Sequence, residues 1–326
     1  MITTDRLVLE PYKPEEIPTL MEIEFAPENC MYTWTNTAEE HEKELADPNV
    51  WTLAVKRKED GYIVGNAIID LDYESEWMEL KRIAFREKNQ GYGREMITAL
   101  VKHAFEEMKR ELEKAEKFIF MEYFIVEEGF MLDVIMKILR QKAAEGVEVR
   151  FMYDGMCAIS MLPYNYPAKL KKYGIQCKMA NALKPFLTTT QNNRDHRKIC
   201  VIDGKVAFTG GVNIGDEYIN RKIRFGHWKD TAVMLKGDAV QSLTMMFLQM
   251  WNVDEKRPEN YVDYLTPRAK VLRRELGYVI PYADSPFDHE NVGEEVYFHI
   301  LNHAKKYVHI MTPYFILDNE TMDALC

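Results

Sequence analysis

Between residues 192 and 213 the chain sets His196, Lys198 and Asp203 at the spacing HxKxxxxD, followed six residues later by GGxN ending at Asn213. An extended strand turns successive side chains to opposite faces, so His196 and Lys198 point the same way. A nucleophile and a fixed cation then share one side. Asp203-Gly204 lies between two apolar runs, Ile199 to Ile202 and Val206 to Phe208, the strongest short-range signal for a two-residue hairpin turn. The returning strand brings Asn213 back toward the same phosphate-sized space. Asp203 sits at the turn, an odd number of positions from His196, and reads as structural more than catalytic.

Taken alone, His-x-Lys on a strand is an ordinary solvated pair. Its flanks are Glu122-Tyr123-Phe124, Gly146 to Arg150 followed by Tyr153-Asp154-Gly155, Asn213 to Tyr218, and His227 to Thr231. With them, the block resembles the HKD motif of the phospholipase D superfamily, in its bacterial cardiolipin synthase branch, over roughly Met108 to Cys326. The resemblance implies phosphatidyl transfer between phosphatidylglycerol molecules through a phosphohistidine, with no cofactor. It makes His196 the nucleophile or its acid partner, gives Lys198 and Asn213 to the phosphate, and completes the pattern with Asp203. Phosphoryl transfer needs positioning and charge neutralisation more than covalent machinery, which suits these residue types. Members of the family also fix the histidine tautomer with a carboxylate from a later strand. Asp230 is the candidate, and a surface Asp at a strand start is the equal alternative.

A weak internal repeat accompanies the motif. Ala115 to Ile119 and Tyr123 to Val126 return as Ala304 to Val308 and Tyr314 to Leu317, each a helix end running into an apolar strand. At the same offset from Ala304 a second histidine motif falls beyond Cys326. The resemblance implies two motifs facing one site, so either two chains pair as a homodimer or the sequence is a fragment lacking half its site. The close in an apparent opening helix favours the fragment.

Residues 1–107 have another character. Strands are expected at Arg6 to Leu9, Trp51 to Val55, Tyr62 to Leu71 and Trp77 to Phe85, with helices at Pro14 to Glu24 and Ala38 to Leu45. Lys88-Asn89-Gln90-Gly91-Tyr92-Gly93-Arg94 then opens a periodic helix carrying Ile97, Val101, Phe105, Met108 and Leu112 on one face, uninterrupted to Lys117. A glycine loop at a helix N-terminus offers free N–H groups and a positive dipole end to a pyrophosphate. The loop resembles the acetyl-CoA loop of GNAT acyltransferases, with Lys88, Gly91 and Gly93 at the motif positions and Lys88 in place of Arg or Gln. That resemblance implies acetyl-CoA as a ligand, with the strand Glu79 to Phe85 splayed from its neighbour around the pantetheine. The later part of such a domain is missing, which puts acetyl transfer in doubt.

The expected fold is α/β throughout. A partial GNAT-like sheet (1–107) leads into one phospholipase D-like lobe (108–252), then a connector and the start of a second lobe (253–326). A net charge of −10 argues against a nucleic-acid binder, whose affinity rests on a basic surface. Five cysteines without metal spacing suit a reducing compartment, and no metal site is expected. Neither a signal peptide nor an apolar run of membrane-spanning length is present, so a cytoplasmic protein is expected. Lys169, Lys171, Lys172, Arg221, Lys222 and Arg224 allow peripheral membrane contact, although solvated faces are their default reading. Phe118 to Phe124 and Met245 to Trp251 read as core. The rivals to phosphatidyl transfer are CoA-dependent acyl transfer and an inactive remnant.

Overall fold

The computed structural model describes the chain apart from residues 32–34, 49, 73–76, 182–193, 227, 229, 254, 258, 266–278, 285–289, 309, 311, 313, 315–317 and 326, and apart from the side chains of 70–72, 77–81, 101–102 and 158. It divides into two compact units, Met1–Leu276 and Gly277–Cys326.

The first unit holds two sheets. β1 (Ile2–Thr3), β2 (Leu7–Pro11), β3 (Val50–Arg57), β4 (Ile63–Asp72) and β5 (Trp77–Phe85) form an antiparallel sheet in sequence order. Helices α1 (Ile17–Phe25), α2 (Pro27–Cys30) and α3 (Ala38–Ala46) intervene between β2 and β3. Thr37 caps α3 through a reciprocal pair with Glu40, which satisfies two backbone donors at its start. β5, the last strand of this sheet, pairs to β4 from Asp72↔Trp77 to Gly65↔Phe85 with one register shift at Ile68/Ile69.

A single helix, α4 (Tyr92–Glu113), serves two cores. Its first turns bury Tyr92, Met96 and Leu100 against the first sheet, and its last turns bury Phe105, Met108 and Leu112 in the next. At about 100° per residue the two groups lie on nearly opposite faces of the helix, so one continuous element closes both layers without a linker. The helix ends at Glu113, short of the expected Lys117, because the chain turns there to enter the central strand of the second sheet.

That sheet contains β6 (Phe118–Tyr123), β7 (Glu148–Asp154), β8 (Gln176–Ala180), β9 (Lys198–Ile202), β10 (Val206–Gly210) and β11 (Ala232–Lys236), in the order β11-β10-β9-β6-β7-β8. β6, β7 and β8 run parallel, crossed over by α5 (Phe130–Ala144) and by α6 (Cys157–Ser160) with α7 (Tyr166–Lys171). β9 to β11 are antiparallel. β6 is buried on both faces, as a strand covered on two sides must be. Its odd residues Ile119 and Met121 pack with Leu132, Ile135 and Leu139 of α5. Its even residues Phe118 and Phe120 meet α8 (Ala239–Trp251), where Phe120 stacks on Phe247 at 4.7 Å. The aromatic and Met-rich stretches are therefore core.

The expected two-residue hairpin is corrected by one residue. Pairing begins at Ile202↔Val206, so Asp203, Gly204 and Lys205 form the connection, with Asp203 and Gly204 at φ +55° and +66°. The predicted Asp-Gly pair does take the two left-handed positions. Part of the expected connector also docks on the lobe. Arg150 holds both carboxylate oxygens of Glu259 at 2.5 and 2.7 Å, and Tyr264 sits edge-on to Phe118 at 5.3 Å.

The second unit contains α9 (Val292–His303) and α10 (Asn319–Leu325). Ala304 to Val308, the second copy of the repeat, take no strand. Phe315, Ile316 and Leu317 of that copy lie outside the described residues.

Candidate functional site

The parallel strands β6 and β7 end at Tyr123 and Asp154, and β9 begins at that same end, where Tyr123 pairs with Lys198. The C-terminal ends of parallel strands are where α/β sheets place chemistry, because the chain leaves the sheet there in loops free to carry side chains. His196 stands on irregular backbone two residues before β9, exposed, while Lys198 is buried. The Lys198 ammonium lies 3.0 Å from His196 Nδ1 and 3.2 Å from Nε2, and donates to the His196 carbonyl at 2.5 Å. Phe124 packs against the imidazole at 4.6 Å and lies under the ammonium at 5.4 Å. The predicted pair is thus together and open to solvent on the histidine side.

Electrostatics favour a neutral imidazole. Partial enclosure lowers the His196 pKa, the Lys198 charge lowers it further, and Asp195 and Asp230 oppose the shift. Burial brings Lys198 down to about 8 against the pull of Asp230 and Asp195. At neutral pH the arrangement is an unprotonated ring beside a cation, which can attack phosphorus while the ammonium holds a non-bridging oxygen.

A second layer, absent from the sequence reading, lies beneath. His196 is flanked by Asp195 and Arg197, and Arg197 Nε donates to Asp195 Oδ1 at 2.8 Å. The Arg197 guanidinium lies 3.0 Å from the carboxylate of Glu122, which is 1% exposed on β6. Burial, then Asp195, holds the Glu122 carboxyl well above its usual range. Burial alone would raise Asp195 as well, but the bond from Glu122 and the charge of Arg197 outweigh it and hold Asp195 low. Arg197 thus reaches both carboxyl groups, and both neighbours of His196 are fixed in place. The only sequence signal was the flank Glu122-Tyr123-Phe124, which gives no hint of its partner.

Asn213 is 3% exposed and already engaged. Its Oδ1 accepts from Ile125 N–H at 2.9 Å and its Nδ2 donates to Tyr218 Oη at 2.8 Å. That geometry ties the loop after β10 to the end of β6. Asp230 accepts from Trp228 Nε1 at 3.3 Å and from Thr231 N–H at 2.8 Å. The paired glycines have a steric reason beside it. A Cβ on Gly211 would come within 1.9 Å of Asp230 Oδ1, and one on Gly210 within 2.3 Å of Thr231 O.

Asp203 is not at this end of the sheet. It lies past the far end of β9, about 17 Å of strand from Lys198 at roughly 3.3 Å per residue. Its carboxylate accepts three backbone N–H groups, from Glu116 at 2.9 Å, Lys117 at 2.7 Å and Phe118 at 2.9 Å. It fastens the hairpin to the point where α4 gives way to β6.

In the N-terminal sheet, Lys88, Gly91 and Gly93 line one cleft of about 170 Å³ with Ile83 and Phe85. Gly91 caps α4 at φ +78°, which a side chain would strain, and a Cβ on Gly93 would press on the Phe85 ring at 3.3 Å. The Lys88 ammonium donates to Asn29 Oδ1. Sequence reasoning missed a buried network nearby. His41 bonds Glu24 at 3.1 Å and Glu44 at 2.9 Å, and Arg82 pairs with both carboxylates. His41 and Glu44 stand one turn apart on α3, but Glu24 and Arg82 come from distant elements and the four share no motif. Among the described residues no cluster of His, Cys, Asp and Glu is suited to a metal, and no helix is long and apolar enough to cross a membrane.

Comparison with known proteins gives two matches that overlap along α4 and into β6. Residues 108–251 match the cardiolipin synthase PLD-like domain, and residues 6–121 match the acetyltransferase (GNAT) domain. An uncharacterized protein of Streptococcus mutans is 58% identical over 221 residues, covering 68% of this chain and 48% of that protein. A cardiolipin synthase of Alkalihalophilus pseudofirmus is 38% identical over 225 residues, covering 69% of this chain and 44% of that one. The chain spans about half the length of the curated relatives it matches. A phospholipase D family member, Nuc from Salmonella typhimurium, aligns at 18% identity with a TM-score of 0.33, covering 51% of this chain and 90% of that structure.

Proposed function

We propose that this chain, whose residues 108–251 belong to the phospholipase D-like domain of cardiolipin synthases, works in transfer of a phosphatidyl group between phosphatidylglycerol molecules. The carrying observation is an exposed His196 beside a buried Lys198, with the imidazole biased toward its neutral form. In the first step an imidazole nitrogen attacks phosphorus and the P–O bond to glycerol breaks. The glycerol oxygen takes a proton from an acid, and the phosphatidyl group rests on His196. In the second step the hydroxyl of another phosphatidylglycerol gives up its proton and attacks, and the P–N bond breaks. Lys198 neutralises the non-bridging oxygens in both steps. The acid that protonates glycerol is a second copy of the motif, brought by another chain or by further sequence. Asp230 orients the imidazole through its charge, and Asp195, held by Glu122 and Arg197, supports it.

Hydrolysis of bis-p-nitrophenyl phosphate tests the chemistry without lipid. Wild type should hydrolyse it, and His196→Ala should lose roughly a thousandfold or more, as removal of a nucleophile does. Equal rates would remove His196 from the mechanism. A second reading concerns residues 6–121, whose GNAT-type loop forms the Lys88–Gly93 cleft. Acetyl-CoA is the ligand proposed for it.

A further inference from the structure

The connection between β10 and β11 leaves and re-enters the sheet at the end where His196 stands, since Thr209 and Val233 flank the start of β9. Within it, Asn220 at φ +56° donates from Nδ2 to Trp228 O at 2.9 Å and accepts from Trp228 N–H at 2.7 Å. One side chain thus clamps both ends of the stretch between them. The N–H groups of Arg221 and Lys222 also bond Asp216 O, at 2.9 and 3.2 Å. Trp228 packs on Tyr218 at 4.7 Å, and the Tyr218 hydroxyl receives the Asn213 amide. The base of the loop is therefore wired to the site.

A loop tied down this firmly still leaves Ile223 84% and Phe225 80% exposed. Single exposed apolar residues are ordinary, but two within three positions on a clamped tip are not accounted for by the fold. Arg221, Lys222 and Arg224 surround them. Lys222 meets Glu127 at 2.6 Å and Arg224 meets Glu217 at 3.2 Å, both with the cation about half exposed. The Lys222 pair holds weakly in water, so a phosphate-rich surface competes for that cation, while Arg224 is anchored by a buried carboxylate and keeps its exposed side toward the solvent. The connection between β7 and β8 emerges at the same end and exposes Ile159 and Tyr164.

We infer that this tip is a membrane-docking element, seating Ile223 and Phe225 at the headgroup and acyl boundary of an anionic phospholipid bilayer while Arg221, Lys222 and Arg224 meet lipid phosphates. It deepens the phosphatidyl-transfer reading, on which it rests for the lipid nature of the substrate. Apolar tips with cationic flanks bind anionic interfaces by burial and charge together. The net charge of −10 repels such a surface elsewhere on the molecule, so the cationic tip orients the His196 end toward the lipid.

Vesicle flotation with phosphatidylglycerol and with phosphatidylcholine tests it, using wild type and Ile223→Ser/Phe225→Ser, with bis-p-nitrophenyl phosphate hydrolysis in parallel. Wild type should float with phosphatidylglycerol vesicles, more weakly with phosphatidylcholine, and the double variant should partition at least tenfold less. Diester hydrolysis should be unchanged in the variant, which also verifies its folding. The fluorescence of Phe225→Trp should be quenched by brominated phosphatidylglycerol. Equal partitioning of the two proteins, or wild type absent from the lipid fraction, overturns the inference. So does a concentration-dependent dimer in sedimentation that the double variant abolishes, because the tip would then belong to a second copy. Vesicle binding with no diester hydrolysis would sink the catalytic reading and leave the docking element standing.

Discussion

The two halves of the first unit each offer a site at the edge of a sheet, but they are made of different material. The Lys88–Gly93 cleft is built from backbone. Its glycines free the chain to adopt a left-handed N-cap and to pass close to Phe85, and the cations beside it are already engaged, Lys88 with Asn29 and Arg6 with the Gln90 carbonyl and Glu95. The His196 end is built from side chains, with an exposed imidazole set by a buried lysine and by carboxylates and an arginine beneath. A backbone site depends on conformational freedom at a few positions. A side-chain site depends on a deeper shell, and its failure modes are correspondingly larger.

The largest effect expected from that difference is at Asp203, which holds the second sheet to α4 without touching the site. Asp203→Ala removes the acceptor for three backbone N–H groups. Each donor left without a partner costs about 1–3 kcal/mol, and the two nearer the surface recover part of this from water, so a loss of about 3 kcal/mol is expected. Urea denaturation followed by tryptophan fluorescence measures it. Asp203→Asn should lose less, since an amide oxygen still accepts. A loss below about 1 kcal/mol for Asp203→Ala would mean that the joint between the halves is held elsewhere.

The architecture was legible where a pattern is local. The apolar run of β9, the left-handed Asp203-Gly204 pair at its turn and the burial of β6 all follow from composition and turn chemistry within a few residues. So did the pairing of His196 with Lys198. What escaped was non-local. Glu122 finds Arg197 across two strands, Asn213 spends its amide on Ile125 and Tyr218, and His41 meets Glu24 and Glu44 inside a separate layer. Apart from His41 and Glu44, one turn apart on α3, nothing in the spacing of those residues announces a contact, because the packing of separate elements decides it.

A smaller effect separates backbone from side chain in the cleft. Isothermal calorimetry with acetyl-CoA should show Gly91→Ala weakening binding about tenfold, near 1.4 kcal/mol. A methyl group at φ +78° strains the N-cap and turns its N–H groups away. Lys88→Ala should cost no more than about threefold, well under 1 kcal/mol, because its ammonium is spent on Asn29. The reverse order would make Lys88 a true phosphate ligand and erase the contrast between the two sites.

The finest test is the pH dependence of diester hydrolysis. Activity needs His196 neutral, so the rate should rise as the ring loses its proton, at a pH below the ordinary histidine value because enclosure and Lys198 both favour the neutral form. Activity also needs Lys198 charged, so the rate should fall as that ammonium titrates near its lowered value of about 8. Asp230 raises the pKa of both groups. Asp230→Asn removes that negative charge, and both limbs should then move to lower pH together. Lys198→Arg keeps its charge across the range and should abolish the upper limb while retaining some rate. Acetyl-CoA binding at the backbone-built cleft should stay nearly flat from about pH 7 to 9, where no free carboxylate or imidazole titrates normally. If neither limb moves in Asp230→Asn, its charge does not reach the pair, and the imidazole must be oriented by Asp195, Arg197 and the buried Glu122 alone.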